Sequence, residues 1–405
     1  MRRSDGPRGT LETATRNRPA VVVTLVAAVA CASLAHAGLD EAMSDFKAGK
    51  YVEAAAGFQA LVDRAPAYDY GHFMLGLSYF KLGRSDEAVD HIERAIELDR
   101  GEFNYYHALA GVERARNESG AALAALGHAE ALLHGPDEFA FYSLRGFVHA
   151  DLEKWAEAID DLERARAERP SAAVLEYLGK AYAELGYPDR AAPVLREAAT
   201  LNPNDADTQA YLAAALIDLA RETEDAARKK TLFSEAVQVA TRYRNMRPEG
   251  FYGWNLVGKA TLGAGAYEEA AQAFVKVLAL RADYCYAMVN LARTRIAQSE
   301  WAEAESVSRD AIECAPRLTA GYESLGFALH KQRRLPEARA AYQQAHSIKP
   351  SPAVEKLIEI VDESIRILEA NAAAVDRDAA QAKAEQERIA AEEARAKEWD
   401  KRHDD

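Results

Sequence analysis

A motif of about 34 residues recurs nine times along this chain. Each copy has a small residue, Gly or Ala, and in all copies but one an alanine follows it twelve positions later. The small residues are Ala42, Gly76, Ala110, Gly146, Gly179, Ala213, Gly258, Ala292 and Gly326, and the alanines are Ala54, Ala88, Ala122, Ala158, Ala191, Ala236, Ala270, Ala304 and Ala338. Successive small residues lie 33 to 36 positions apart, except at one gap of 45. A period of this length is typical of a solenoid, and solenoids more often bind other molecules than transform them.

Each copy has the apolar spacing of two helices with one break between them. In the second copy, Leu75 and Tyr79 lie on one face of a first helix, and Ala88 and Ile92 lie on one face of a second. Gly83 lies between them and ends a helix at little conformational cost. Six copies end in a proline, which stops the second helix before the next copy begins. These prolines are Pro66, Pro170, Pro203, Pro248, Pro316 and Pro350.

The shared small residues indicate close helix packing. Gly or Ala lets two helix backbones approach, whereas a bulky side chain would hold them apart. One hairpin cannot bury its apolar face alone, so the copies must stack. The sequence therefore predicts an all-α solenoid of about nine helix-turn-helix repeats over residues 38–350.

The repeats resemble the tetratricopeptide repeat, whose pattern is a large residue, Leu-Gly, Tyr, Ala, Phe, Ala and Pro at fixed offsets. One copy follows it with Trp254, Val257, Gly258, Ala270 and Phe274, and another with Tyr142, Gly146, Ala158, Leu162, Ala165 and Pro170. The resemblance covers roughly residues 35–350. It implies a right-handed α-solenoid whose first helices line a concave groove that binds protein partners.

Residues 1–37 have the pattern of an export signal. Five arginines precede an apolar run over residues 20–34, and Ala35-His36-Ala37 offers a cleavage site. The run is short for a membrane span. Two alternatives stay open, an uncleaved N-terminal anchor and lipidation at Cys31, and only these would bring the protein to a membrane. We expect an exported protein, periplasmic or associated with the bacterial envelope.

The carboxyl end differs from the repeats. Residues 351–370 are expected to form a helix that caps the last repeat, and residues 371–405 a charged, Ala-rich helical tail. Apolar residues follow a heptad spacing, typical of a coiled coil: Val354, Ile358, Val361, Ile365, Leu368, Ala372, Val375, Ala379 and Ala382. The tail either pairs with a partner or a second copy, or is simply a solvated helix.

Cys285 and Cys314 would remain after signal removal. They lie near the start and the end of one hairpin, whose antiparallel helices bring these ends together, so a disulfide is feasible in an oxidising compartment. The alternative is two buried free thiols that act as small apolar residues.

Two stretches of the expected groove are candidate binding surfaces. The early stretch presents aromatic and apolar side chains, which suit an extended peptide or a partner helix unless a neighbouring helix covers them; these are Tyr70, Phe73, Leu77 and Phe80. The later stretch presents amides and cations, which can hold a peptide backbone or a carboxylate, or else form an ordinary solvated face; these are Asn255, Lys259, Asn290 and Arg293.

Some members of the resembled family clamp a partner's terminal carboxylate at this later stretch. Only Asn290 matches that clamp in place. Asn255 and Lys259 occupy the positions of a clamp lysine and asparagine, and Ala320 and Ser324 replace the remaining cations. The sequence therefore predicts a polar peptide groove and not a clamp of that type.

The gap of 45 residues marks an insertion near residues 219–230. Its sequence is compatible with a helix, so we expect a hairpin lengthened by a turn or two. The insertion is either a docking feature or a neutral extension.

Motifs for catalysis are missing. No phosphate-binding loop, nucleophile elbow, H-E-x-x-H pair or C-x-x-C motif occurs, and the ten histidines lack metal-ligand spacing. The net charge of −14 and the absence of a basic stripe argue against nucleic-acid binding. We expect no enzyme, no cofactor and no bound metal.

The sequence thus favours a non-catalytic protein–protein interaction scaffold of the bacterial envelope. The alternative is a periplasmic chaperone or delivery module that binds extended polypeptides transiently. A scaffold would have one stoichiometric partner, and a chaperone would have many weak ones.

Overall fold

The structure, a computed structural model, describes residues 38–403, so the expected export signal lies outside it. The described residues form helices and no strand. The α-helices are α1 (38–47), α2 (Tyr51–Arg64), α3 (Asp69–Lys81), α4 (Ser85–Leu98), α5 (Phe103–Ala115), α6 (Ser119–Glu130), α7 (Glu138–Asp151), α8 (Trp155–Glu168), α9 (Ala172–Glu184), α10 (Pro188–Leu201), α11 (Ala206–Glu222), α12 (Ala226–Met246), α13 (Phe251–Ala264), α14 (Tyr267–Leu280), α15 (Cys285–Ala297), α16 (Trp301–Cys314), α17 (Thr319–Lys331), α18 (Leu335–Ile348) and α19 (Pro352–His403).

The helices divide into two compact units, Met1–Leu185 (unit 1) and Gly186–Asp405 (unit 2). In unit 1, each helix from α2 to α9 packs on the next, and the first helices α3, α5, α7 and α9 also pack on one another in order. In unit 2, the same holds for α10 to α19 and for the first helices α11, α13, α15 and α17. This packing of successive hairpins confirms the predicted all-α solenoid.

Four of the small shared residues, all glycines, lie where the two helices of a hairpin are in tight contact. A Cβ added to Gly76 would lie 2.7 Å from Ile92 Cγ1, and one added to Gly258 would lie 2.7 Å from Phe274 Cε1. Gly326 has the same relation to Tyr342. The sequence-based reason for a small residue at this position is therefore confirmed.

The turn within each regular hairpin holds one residue in the left-handed region of backbone space. Gly83 has this conformation, with φ of 76°, and so does Gly265, with φ of 82°. At the same place in other hairpins stand Asn117, Glu153, Ser299 and Arg333, with φ between 56° and 65°. A side chain at such a φ is strained by roughly 1–2 kcal/mol, so the hairpin geometry imposes this turn on residues that do not favour it.

The insertion lengthens both helices of one hairpin. α11 has 17 residues and α12 has 21, whereas α2 to α10 and α13 to α18 have 12 to 14. Arg221 stands in the last turn of α11 because of this extension. The added length therefore places charged side chains beyond the frame of the regular repeat.

The carboxyl-terminal segment is one helix of 52 residues, α19. Val354 and Val361 are buried against the last hairpin, where Ile358 and Ile365 also pack. From Arg366 to Trp399 the side chains are exposed, apart from the half-buried Ala374. Pairing of this region with another chain stays a prediction.

Candidate functional site

Unit 2 has a cavity of about 720 Å³ on the face formed by its first helices. The lining comes from α11, α12, α13 and α15 and from the residue before α15; we call this cavity the polar groove. Its lining residues are Arg221, Phe233, Lys259, Leu262, Gly263, Tyr284, Tyr286, Asn290 and Arg293. Three of the four residues predicted for the later groove, Lys259, Asn290 and Arg293, therefore line one cavity.

Two cations of the polar groove have no anionic partner. Neither Lys259 nor Arg293 forms an ion pair within residues 38–399, whereas Arg221 pairs with Asp218, Nη1 to Oδ1, at 3.1 Å. Burial, together with repulsion from Arg221, lowers the pKa of Lys259, and attraction from Asp218 offsets this only in part. The groove is thus an electropositive site in which a bound anion would be stabilised.

The amides of the polar groove differ in their surroundings. Asn290 is 9% exposed and lines the groove, and its side chain makes no hydrogen bond within the described part of the chain. Asn255 precedes Lys259 by one helical turn but is 0% exposed, and neither atom of its amide has a partner. Asn255 is therefore a buried residue of α13 and not part of the groove lining.

Tyrosines form a further wall of the polar groove. The rings of Tyr284 and Tyr286 lie 6.0 Å apart, and both residues line the cavity. Sequence reasoning missed both tyrosines. A signal was present for Tyr286, because Tyr252 stands at the same place in the preceding copy, six positions before the shared small residue. Sequence reasoning also missed Arg221, since the insertion places this residue outside the period of the repeat.

A disulfide joins Cys285 to Cys314, with a Cα–Cα distance of 5.7 Å. The bond ties the start of α15 to the end of α16. Both residues are half-buried, so they do not behave as thiols sealed in the core. Cys285 stands between Tyr284 and Tyr286, and the disulfide therefore anchors the backbone that carries the tyrosine wall.

The residues predicted for the early groove lie in unit 1 and are engaged in packing. Tyr70 and Phe73 are half-buried beside the hydrophobic cluster of α1–α3. The Phe73 ring lies 4.7 Å from that of Tyr105, and the Tyr70 hydroxyl approaches Met43 Sδ at 3.8 Å. Phe80 packs against the cluster formed by α4 and α5. These rings therefore pack between helices of unit 1 while remaining partly exposed.

No helix among residues 38–403 combines the length and the apolar character that a membrane span requires. No group of three or more His, Cys, Asp or Glu side chains in this part of the chain is arranged to hold a metal ion.

The family model of the tetratricopeptide repeat matches residues 39–103 and 144–206. This chain contains tetratricopeptide repeats. Repeats of this family are protein-interaction modules, and the chain is accordingly a protein-interaction scaffold.

Solved structures of other tetratricopeptide-repeat proteins are similar to parts of this one. YrrB, described as having an unusual peptide-binding site, is 24% identical over 48% of this chain and 95% of its own, with a TM-score of 0.42. A tetratricopeptide-repeat protein of Parabacteroides merdae is 14% identical over 64% of this chain and 98% of its own, with a TM-score of 0.47. The corresponding domain of P58(IPK) is 12% identical over 82% of this chain and 98% of its own, with a TM-score of 0.30. A comparison with curated proteins gives no significant match.

Proposed function

We propose that this protein is a non-catalytic scaffold of the bacterial cell envelope, and that its polar groove binds a negatively charged segment of a partner protein. The observation that carries the proposal is the pair of cations, Lys259 and Arg293, that face the groove without an anion. Arg196 of unit 2, by contrast, is held by Glu235, with 2.8 Å between its Nε and Oε1 of the carboxylate. A cation left unpaired in a chain of net charge −14 is available to a ligand.

The groove offers a partner three kinds of contact. Lys259 and Arg293 can each form a charge-assisted hydrogen bond with a carboxylate. The amide of Asn290 can pair with a peptide group, since it has both a donor and an acceptor. Tyr284 and Tyr286 provide rigid apolar surface at a small loss of conformational entropy. Together these suit an extended peptide segment better than a small molecule.

The envelope location rests on two features. Residues 1–37 have the composition of an export signal, and the Cys285–Cys314 disulfide suits an oxidising compartment.

The proposal is tested by crosslinking in the cells that make the protein. A photoreactive amino acid at Tyr286 lies in the groove, and one at Lys276, exposed on α14, serves as the control. We expect the first to trap one envelope protein in stoichiometric amount and the second to trap none. Many weakly trapped proteins at Tyr286 would instead support the chaperone, and no trapped protein would contradict both.

A charge variant then shows whether the cations hold the partner. The double variant Lys259→Ser and Arg293→Ser removes two charges from the groove, and Lys276→Ser with Arg309→Ser removes two from second helices. We expect the groove variant to weaken crosslinking at Tyr286 by about tenfold or more, because it loses two charge-assisted contacts. An equal effect of both double variants would attribute the binding to net charge alone.

A further inference from the structure

Unit 1 contains a second cavity, of about 460 Å³, that shares no residue with the polar groove. It lies between α4, α5 and α6, and we call it the outer cleft. Its floor is apolar and includes Ile96, Leu109 and Ala125. Two second helices, α4 and α6, form its sides, so it belongs to a different surface from the face of the first helices.

The outer cleft is open because α6 has unusually small side chains. The residue just before the shared alanine is charged in eight copies: Glu53, Glu87, Glu157, Arg190, Glu235, Glu269, Glu303 and Glu337. In the third copy it is Ala121, which lines the cleft together with Ala124. A Cβ added to Gly120 or Gly127 would meet no atom within 4 Å. In the other copies a charged side chain covers this side of the second helix, whereas the same side of α6 is uncovered and apolar.

Carboxylates stand around this apolar floor. Glu93 is exposed at the rim and forms no ion pair within the described residues. Glu97 and Glu113 also line the cleft, and each is held by one arginine, Arg94 or Arg116. The outer cleft is therefore apolar at its base and acidic at its edge, opposite in charge to the polar groove.

One tyrosine hydroxyl at the outer cleft has no partner within the described residues. Tyr106 lines the cleft, and its hydroxyl makes no hydrogen bond within residues 38–399. The His128 ring lies 5.4 Å from the Tyr106 ring, at the side of α6. A phenol hydroxyl both donates and accepts, so a ligand can replace its contact with solvent by a hydrogen bond.

We propose that the outer cleft binds an amphipathic helix of a partner protein, with large apolar side chains seated against α6 and a flanking Lys or Arg side chain directed at Glu93. A helix fits because the cleft is a groove between helices, where apolar anchors at i, i+3 and i+7 can enter a row of small residues. The acidic rim selects cations, and the missing charge at Ala121 admits the apolar side chains. This proposal does not depend on the polar groove, and the scaffold would then hold two partners of opposite charge at separate surfaces.

The test uses purified full-length protein and a synthetic, fluorescently labelled helical peptide with a leucine face and a lysine face. Two matched peptides accompany it, one with glutamate in place of lysine and one with central prolines that prevent a helix. We expect fluorescence anisotropy to show saturable binding of the leucine–lysine helix only. Equal binding of the glutamate peptide or of the proline peptide would overturn the proposal.

Three variants locate the binding. Ala124→Glu places a long side chain in the outer cleft, and Ala340→Glu makes the same change at the equivalent exposed position of the last repeat. We expect Ala124→Glu to lower the affinity for the peptide about tenfold, since the loss of one well-buried apolar contact has about that effect. Ala340→Glu should leave the affinity unchanged. Glu93→Gln is expected to weaken it about threefold, as for one exposed ion pair.

General attraction of a cationic peptide to an acidic protein predicts the opposite result. Both added glutamates would then leave the affinity unchanged or increase it, and this outcome overturns the proposal. Circular dichroism of each variant shows whether the helices remain. Should Ala124→Glu unfold α6, Glu93→Gln and the peptide comparison decide the question, because Glu93 is exposed and its substitution leaves the packing intact.

Discussion

The residue that follows the shared small position has different surroundings in the two units. In the second copy, which lies in unit 1, it is Leu77, which packs against the hydrophobic cluster of α1–α3. In the two copies of unit 2 that form the polar groove it is Lys259 or Arg293, which face a cavity without an ionic partner. One repeat position is thus part of a hydrophobic cluster in one copy and part of a site in another. The fold determines where a side chain points, and the neighbouring copies determine whether it is free to bind.

The two units also differ in how their hairpins are held together. Unit 1 has a buried ion pair between Asp161 and Arg145, and unit 2 has the Cys285–Cys314 disulfide. Unit 1 satisfies its buried charges internally, whereas unit 2 leaves cations open and is secured by a covalent bond. The following substitutions, from the largest expected effect to the smallest, would break or sharpen this contrast.

Asp161→Ala is expected to lower the free energy of unfolding of unit 1 by about 3–5 kcal/mol, the usual effect of removing one partner of a buried pair. Burial raises the pKa of Asp161, but the contacts with His149 and Arg145 outweigh it, so its pKa lies below the usual range. Hydrogen exchange of α7 and α8 measures the loss. Unchanged protection in these two helices would show that the pair contributes little.

Replacement of Cys285 and Cys314 by serine is expected to lower the free energy of unfolding of unit 2 by about 3 kcal/mol, the usual effect of losing a disulfide that closes a loop of this length. Because Tyr284 and Tyr286 flank Cys285, crosslinking at the polar groove should weaken as well. Urea titration with and without a dithiol reductant measures the first effect. If the reductant had no effect on the wild type, the bond would not stabilise unit 2.

Lys259→Met should weaken partner binding while leaving unit 2 equally stable or more stable by about 0.5–1 kcal/mol, as is common when a residue serves binding at the expense of stability. The reason is that burial disfavours the charged form of Lys259, which has no anionic partner. Thermal unfolding of the variant shows whether its stability rises or falls relative to the wild type. A clear loss of stability would show that Lys259 supports the fold.

Acidification is expected to destabilise unit 1 through His91. Burial, and then the nearby His72, lower the pKa of His91 below its usual 6.5, although Asp90 and Glu87 oppose the shift. The unfolded chain therefore binds the proton more tightly, so the contribution is complete above about pH 6.5 and is lost as the pH falls below it. Urea midpoints across this range should fall less in His91→Gln than in the wild type, and His134→Gln serves as the control. If the urea midpoint of His91→Gln fell with pH as steeply as that of the wild type, His91 would not be the cause of the acid destabilisation.

Glu153→Gly should stabilise unit 1 by about 0.5–1 kcal/mol, because Glu153 adopts a φ of 56° that strains any side chain. Gly83, at the same place in the second hairpin, has no such strain, and Gly83→Ala should destabilise by a similar amount. Thermal unfolding of the two variants should therefore shift in opposite directions. A shift in the same direction would show that the side chains, not the turn, decide the effect.

Much of the fold could be predicted because it depends on a local pattern that repeats. Gly76 and Gly258 identify a tight helix contact in their hairpins, and no knowledge of neighbouring copies is needed for that. The polar groove was predicted in part for the same reason, since the repeat places Lys259, Asn290 and Arg293 on the first helices.

The rest depends on contacts that the repeat does not encode. Asn255 is buried because other helices cover it, and a count of positions does not show this. Arg221 reaches the groove only through the lengthened α11. The outer cleft exists because a charged side chain is replaced: Ala121 stands where the other eight copies have Glu or Arg. Such an exception is visible in the sequence only when each copy is compared with all the others at one position.

The long α19 gives the protein an arm of defined length and direction. From residue 366 to residue 403, at 1.5 Å per residue, the helix extends about 57 Å beyond its contact with the last hairpin. The direction in which each residue of α19 points around the helix axis is fixed as well, since successive residues are rotated by about 100°. Deletion of seven residues would shorten the reach by about 10 Å and keep nearly the same azimuth, whereas deletion of two would turn the end to the opposite side. Whatever is attached near His403 is therefore held at a set spacing and a set angle from the solenoid.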